Sequence, residues 1–393
     1  LRILIVHNEY VHKGGEDVVL ANEAALLAGK GHEVTRATVS NRSISGVLDR
    51  LKTALYTASS PIGAKWMRER LAESRPDVVH VHNFFPLLSP SIYRVCNEHP
   101  VPVVQTLHNY RTVCANAMLL RDSRPCELCV TGSPYQSLRY RCYRHSVVAT
   151  LPLARMIAGN RAAETWQREV DLFIALTEFA RSRFLAAGFP PERVVVKPNF
   201  VADPGPPASI AGEDGSVLFV GRLAPEKGIE TLMRAWTNLA VPLIVAGDGP
   251  MRPLVEASTS PHVEAIGWKS SAEVAAEMDR ARFLVMPSEW YEGFPMTLVE
   301  AFAHGRPVLV SRLGSMAEIV EDGVSGIHVN PGDVADWAAK VHWAYDHPAE
   351  MAAMGRKARE IYEQRYTAER SYAMLVEIYR FAMEACAARA RAA

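Results

Sequence analysis

Short apolar runs alternate along this chain with longer stretches whose apolar positions recur every three or four residues. That alternation predicts α/β architecture, with parallel strands joined through helices. The first half predicts strands at residues 3–7, 33–39, 78–81, 101–107, 171–175 and 193–196. Between the first two, residues 16–30 carry a helical pattern that Gly31 stops. A stretch from Lys197 to Pro207 follows, broken by Pro198, Pro204, Pro206 and Pro207, and reads as a linker. A second series then predicts strands at 217–220, 243–246, 263–266, 283–286, 308–310 and 327–329. Beyond about Asp333 the pattern is helical, ending in an alanine-rich amphipathic segment. Each series is long enough for a doubly wound sheet with ligand-binding loops at the carboxyl ends of its strands. The expected organisation is therefore two similar domains and a cleft between them.

Composition narrows the class without changing this picture. The 393 residues are 49% hydrophobic and 22% charged, as in an ordinary globular protein, and the length favours two domains over one. No stretch approaches eighteen consecutive apolar residues, so no membrane-spanning helix is expected, and the first residues read as a strand rather than a leader. A cytoplasmic location is the expectation. Net charge is zero, but residues 1–203 hold 25 Lys and Arg against 18 Asp and Glu, and the remainder reverses those numbers. Such an imbalance means either two surfaces for different partners or simple drift of solvated charge. A nucleic-acid partner is not expected, since there is no dense basic run and no nucleic-acid module.

Chemistry concentrates at three predicted strand ends of the second series. After residues 283–286 comes Pro287-Ser288-Glu289-Trp290-Tyr291-Glu292-Gly293-Phe294-Pro295-Met296-Thr297-Leu298-Val299-Glu300, opening a helix that Gly305 stops. Pro295 is expected at the first helical position, leaving the amides of Gly293 to Thr297 free to bind phosphate or sugar hydroxyls. Glu292 and Glu300 can reach different parts of one elongated ligand. After residues 217–220, Gly221 permits close backbone approach while Arg222 and Lys227 place two cations suited to a departing diphosphate. Gly247 lets the chain turn beside a ligand at the third strand end.

In this order the segments resemble the donor-site motifs of glycosyltransferase family 4, and the resemblance extends over nearly the whole chain. Gly221, Arg222, Lys227 and Gly228 match the family's Gly-Arg-x4-Lys-Gly element, and Glu292 and Glu300 its Glu-x7-Glu element. The opening His7-Asn8-Glu9-Tyr10 with Gly14-Gly15-Glu16 is similar as well. The resemblance implies the GT-B fold of two facing Rossmann-like domains and retaining transfer of a hexose from a nucleotide-diphosphate sugar to a saccharide or lipid-linked saccharide. It implies that Arg222 and Lys227 bind the diphosphate, Glu300 the ribose and Glu292 the donor sugar. The amides of Gly293, Phe294 and Met296 would order the sugar hydroxyls, with Pro295, Thr297, Leu298 and Val299 completing the donor site. Gly14 and Gly15 would bring amides to the donor phosphates, and His108 would contact the transferred sugar. His80 and His82, two apart on one strand, are acceptor-side or structural. No Asp-x-Asp motif occurs, so catalysis without a metal is expected, by front-face displacement rather than through a covalent Glu292 intermediate. A nucleotide-sugar epimerase of the same fold and a non-catalytic sugar-nucleotide binder are the alternatives.

The expected boundaries are an acceptor domain over 1–203, a donor domain over 204–366 and a helix over 367–393 crossing back to the first domain. The acceptor domain carries an insert at about 110–145 with Cys114, Cys126, Cys129 and Cys142. Four thiols around a Cys-x2-Cys knuckle suit either a structural zinc or free or partly oxidised thiols, since the outer spacings fit no standard finger. The same segment is rich in arginine and tyrosine and leads into an apolar run. It reads either as a docking surface for an anionic membrane or lipid-linked acceptor, which would place the protein peripherally on the inner face of a membrane, or as a folded insert with surface arginines.

Overall fold

The computed structural model describes residues 1–11, 14–207 and 215–392. They fall into two units: residues 1–121, 126–198 and 371–393, and residues 122–125 and 199–370.

The first unit is built on a six-stranded parallel sheet of β1 (Arg2–Glu9), β2 (Glu33–Ser40), β3 (Val78–Asn83), β4 (Val103–Thr106), β5 (Leu172–Ala175) and β6 (Val194–Val196). Their order is β2-β1-β3-β4-β5-β6. The central strands are buried on both faces, which is why each begins with consecutive apolar residues, Ile3–Val6, Val78–Val79 and Val103–Val104. Helices α1 (Gly15–Gly29), α2 (Val47–Tyr56), α3 (Pro61–Ser74) and α4 (Val147–Ala162) belong to this unit.

The second unit has its own parallel sheet: β7 (Val217–Val220), β8 (Leu243–Ala246), β9 (Val263–Gly267), β10 (Phe283–Met286), β11 (Val308–Ser311) and β12 (Gly326–Val329). The order β9-β8-β7-β10-β11-β12 is that of a dinucleotide-binding fold. Helices α5 (Ile229–Trp236), α6 (Met296–Ala303) and α7 (Pro348–Arg365) accompany it. Trp236 and Trp337 are fully buried in its core, where truncation to alanine costs about 3–5 kcal/mol each.

The last helix, α8 (Ala368–Ala392), joins the first unit's core through Leu375, Ile378, Tyr379 and Ala382, a stripe at helical spacing. These side chains pack with Ile3, Ile5, Leu27, Val78 and Ile174. The stretch read as a linker begins later than its prolines suggested: Lys197 is buried in the first unit, and Asn199 and Phe200 are buried too. Among the described residues no helix is long and apolar enough to cross a membrane.

Candidate active site

In each sheet the strand order reverses at one point, and loops leaving neighbouring strands there diverge to form a crevice. In the second unit that point lies between β7 and β10. The loop after β7 carries Gly221, Arg222 and Lys227; the loop after β10 carries Glu292. Gly228 (φ +71°) locks the two together, because a Cβ there would lie 2.0 Å from the Pro287 carbonyl oxygen. The Glu289 amide donates to the Glu226 carbonyl at 2.9 Å across the same seam. Gly247 (φ +151°) presses as closely on the Gly221 carbonyl, with 1.9 Å to an added Cβ. Backbone therefore walls this crevice where side chains would not fit.

Lys227 Nζ donates to Glu292 Oε1 at 2.7 Å. The same oxygen accepts from Ser288 Oγ at 2.7 Å and Trp290 Nε1 at 3.0 Å. Ser315 Oγ holds the Glu292 backbone carbonyl at 2.7 Å. Glu292 is thus buried and fixed, whereas the Lys227 side chain keeps 24% of its surface exposed. Arg222 is strapped to Glu226 and stays mostly exposed. A cavity of about 330 Å³ opens beside it, lined by Gly221, Arg222, Gly247, Asp248, Trp268 and Lys269. Its size suits part of a small ligand.

Helix α6 points its amino end into this loop region. Its first helical residue is Met296, so Pro295 is the N-cap, one position earlier than expected. Proline supplies no capping side chain, which leaves the Met296 and Thr297 amides for a ligand or solvent, while the Leu298 amide turns back to the Pro295 carbonyl at 3.1 Å. Glu300, one turn on, is half-buried, and burial raises its carboxyl above the ordinary value. Met296 and Thr297 are half-buried, as are Gly293 and Phe294, whose ring packs edge-on to Tyr366. The side chains of Leu298 and Val299 are fully buried in the core, so these two can contribute only backbone.

The first unit reverses between β1 and β3, and imidazoles gather there. His82 Nδ1 is hydrogen-bonded to His108 Nε2 at 2.9 Å with the rings stacked. Glu23 Oε1 lies 3.3 Å from His82 Nε2 and 3.2 Å from His80 Nδ1, and Glu23 Oε2 accepts from Lys197 Nζ at 2.9 Å. Tyr379 of α8 and Thr106 hydrogen-bond the two nitrogens of His80, each at 2.8 Å. Burial works to raise the Glu23 carboxyl, but Lys197 and the histidines outweigh it and hold it well below the ordinary range. Burial, reinforced by His82, keeps His108 neutral well below the usual imidazole value. Glu23, His80 and His82 are the one described group whose ligand atoms all fall within 4.8 Å of one another, and the cation beside them is the Lys197 ammonium.

Gly14 caps α1 with its amide donating to Asp17 Oδ2 at 2.7 Å, while Asp17 Oδ1 meets His7 Nε2 at 3.0 Å. Open space faces Gly14 and Gly15. Glu16 points back under them and accepts from Asn83 at 3.2 Å and Asn109 at 3.4 Å. Burial, with Asp17 nearby, pushes its carboxyl up to about 8. Glu16, Glu23 and Lys197 are the residues that sequence reasoning missed. Glu23 had a signal: with Val19 and Leu27 it lies on one stripe of α1, where a carboxylate needs a partner.

Among the described residues no disulfide joins the insert's cysteines. Cys129 is pushed up to about 12 by burial and by Cys114, Cys142 and Cys126 around it. No three of these sulfurs meet at metal-ligand distance, and the Cys114 thiol donates to Asn116 Oδ1 at 2.9 Å. Much of the arginine is spent internally: Arg161 donates to the carbonyls of Gly132, Cys129 and Val130, and Arg121 stacks on Tyr140 at 4.0 Å.

Two family models match the chain: the glycosyl transferase 4-like domain over residues 14–199, and glycosyl transferases group 1 over residues 214–347. An uncharacterised glycosyltransferase of Methanocaldococcus jannaschii is 33% identical over 147 residues, 36% of this chain and 42% of that protein. Glycogen synthase of Mycobacterium tuberculosis is 27% identical over 301 residues, 73% of this chain and 64% of its own length. This chain thus spans less than two thirds of either relative. A second M. jannaschii glycosyltransferase is 24% identical over 98% of this chain and 99% of its own. Among solved structures, sucrose-phosphate synthase from Thermosynechococcus elongatus superposes with a TM-score of 0.70 at 18% identity, over 96% of this chain and 98% of that one. Anabaena HepE, solved with UDP and glucose, superposes with a TM-score of 0.63 at 19% identity over 96% and 98%. The fold is shared with both.

Proposed function

The chain belongs to the GT-B glycosyltransferases of the family 4 type, and we propose that it transfers a hexose, with retention, from a nucleotide-diphosphate sugar to a saccharide or lipid-linked saccharide. The observation that carries this reading is the Lys227 ammonium, gripped from one side by the buried Glu292 carboxylate and open on the other, at a crevice walled by glycine backbone. A diphosphate bound there is neutralised by Lys227 and Arg222, so no metal ion is needed on it. Negative charge grows on the bridging oxygen as the sugar leaves, and both cations strengthen their hold in the transition state. The α6 amides order the sugar hydroxyls, and Glu300 accepts from the ribose.

Transfer breaks the bond between the anomeric carbon and the phosphate oxygen and forms the new glycosidic bond on the same face. The departing phosphate oxygen takes the proton of the acceptor hydroxyl. Three donors already engage Glu292 Oε1, which suits a positioning carboxylate better than a nucleophile. In the first unit, neutral His108 is assigned to a hydroxyl of the transferred sugar, with Gly14 and Gly15 giving amides to phosphate. The acceptor side includes an anionic membrane surface.

Calorimetric titration with UDP, GDP and ADP tests the donor site. HepE was solved with UDP, which makes UDP the first to try. Binding that disappears in Lys227→Ala supports the reading, and release of nucleoside diphosphate only when acceptor is present separates transfer from epimerisation and from binding alone.

A further inference from the structure

Helix α2 is built with its apolar side outward. At about 100° per residue, Val47, Leu48, Leu51 and Leu55 fall within a single arc of roughly a hundred degrees. These side chains are 72%, 71%, 62% and 67% exposed. Arg50 and Lys52 stand at the two edges of the arc, both exposed. The opposite side, with Asp49, Thr53 and Tyr56, faces a cavity of about 450 Å³ that Ile44, Trp66 and Leu88 also line. No residue of α2 is buried. A ten-residue helix held by so little packing is marginal in water, and an apolar environment for its outer face would stabilise it.

The start of α4 repeats the arrangement. Val147, Val148 and Leu151 are 45%, 82% and 41% exposed, and the exposed Arg155 continues the same stripe. Arg144 and His145 are exposed just ahead of it. The two helices touch. Within residues 44–56 and 144–156 the cations outnumber the single acid, Asp49, which is occupied in hydrogen bonds with Ser45 and Gly46.

We propose that the outer faces of α2 and the start of α4 together dock onto an anionic lipid bilayer, their aliphatic side chains entering the acyl boundary while Arg50, Lys52, Arg144 and Arg155 meet phosphate headgroups. Outward leucine flanked by basic side chains that can extend to the headgroups is the pattern of an interfacial helix. A second copy of the chain fits less well, because a twofold contact sets each patch against itself and brings these cations face to face. The docking surface thus centres on α2 and the start of α4 rather than on the whole arginine-rich insert, of which the exposed Arg144 is the part that adjoins it. The proposal draws on the membrane part of the reading above, while docking itself requires neither donor nor transfer.

The test is sedimentation of the full chain with vesicles of phosphatidylcholine, with and without a third of phosphatidylglycerol. The expected result is binding to the anionic vesicles alone, weakened by salt. Leu48→Ser/Leu51→Ser/Leu55→Ser should reduce it at least about tenfold, and Arg50→Glu/Lys52→Glu by a similar factor or more. All of these side chains are exposed, so thermal midpoints and the UDP-induced shift should match wild type in every variant. No wild-type binding, or undiminished binding by the serine variant, overturns the proposal. So does a concentration-dependent dimer in sedimentation velocity, lost in the serine variant, with no vesicle binding. Loss of the UDP shift in wild type would count against the donor site and leave docking untouched.

Discussion

Among the described residues, two lysine–glutamate pairs of nearly equal length have a buried carboxylate, and they do different work. Lys197 and Glu23 meet at 2.9 Å with 2% and 3% of their side chains exposed. Lys227 and Glu292 meet at 2.7 Å with 24% and 7% exposed. The first pair is closed on all sides, and its charge is consumed in holding His80 and His82. The second is closed around the carboxylate and open at the ammonium. A buried ion pair is thus a poor guide to function until its unsealed side is found: a sealed pair fixes geometry, a half-sealed one presents a fixed charge to whatever enters.

Removing one partner of the sealed pair should have the largest effect. Lys197→Met leaves Glu23 as an uncompensated buried charge, at a cost of about 3–5 kcal/mol in urea unfolding, and adding Glu23→Leu should restore much of it. Lys227→Met should instead lower the transfer rate about 10²–10³-fold, about 3–4 kcal/mol of transition-state stabilisation, while the thermal midpoint moves by only a few degrees. If the two lysines gave the same pattern of stability and rate, the distinction between them would be void.

A third measurement concerns Glu16, whose folded carboxyl is raised to about 8. The unfolded chain releases that proton near the ordinary glutamate value, so the folded state binds more protons between the two. The resulting stability is complete below the unfolded pKa and is lost as pH rises through about 8. Thermal midpoints from pH 5 to 9 should fall on the alkaline side by about 3–5 °C, and Glu16→Gln should flatten that decline. The smallest expected effect is none: EDTA leaves the transfer rate unchanged, and a loss restored by Mg²⁺ or Mn²⁺ would contradict neutralisation by Arg222 and Lys227.

Most of the architecture was legible in the sequence, because buried parallel strands are rich in short apolar runs, and every one of the twelve predicted stretches became a strand. The Gly221–Gly228 segment was legible for a related reason: backbone packed against backbone admits only glycine, and such positions stand out. Lys197 was not, since a lysine before a proline reads as loop and its partner lies 174 residues away. Leu298 and Val299 were assigned to the ligand, and helical spacing with Phe302 shows in addition that their side chains belong to the core. Cys114, Cys126 and Cys142 all act on Cys129, yet no three of the sulfurs lie within 4.8 Å of one another, and sequence spacing is blind to such distances.

The return of α8 to the first unit has a practical consequence for anyone dissecting the gene. A fragment ending at Pro198 would carry a bare seam where Leu375, Ile378, Tyr379 and Ala382 should lie, and His80 would lose its phenol partner. Such a half should be sticky and poorly soluble until a synthetic peptide of residues 371–393 is added back. A circular permutant that joins that peptide directly to residue 1 or 198 would give the same body from one uninterrupted stretch of code.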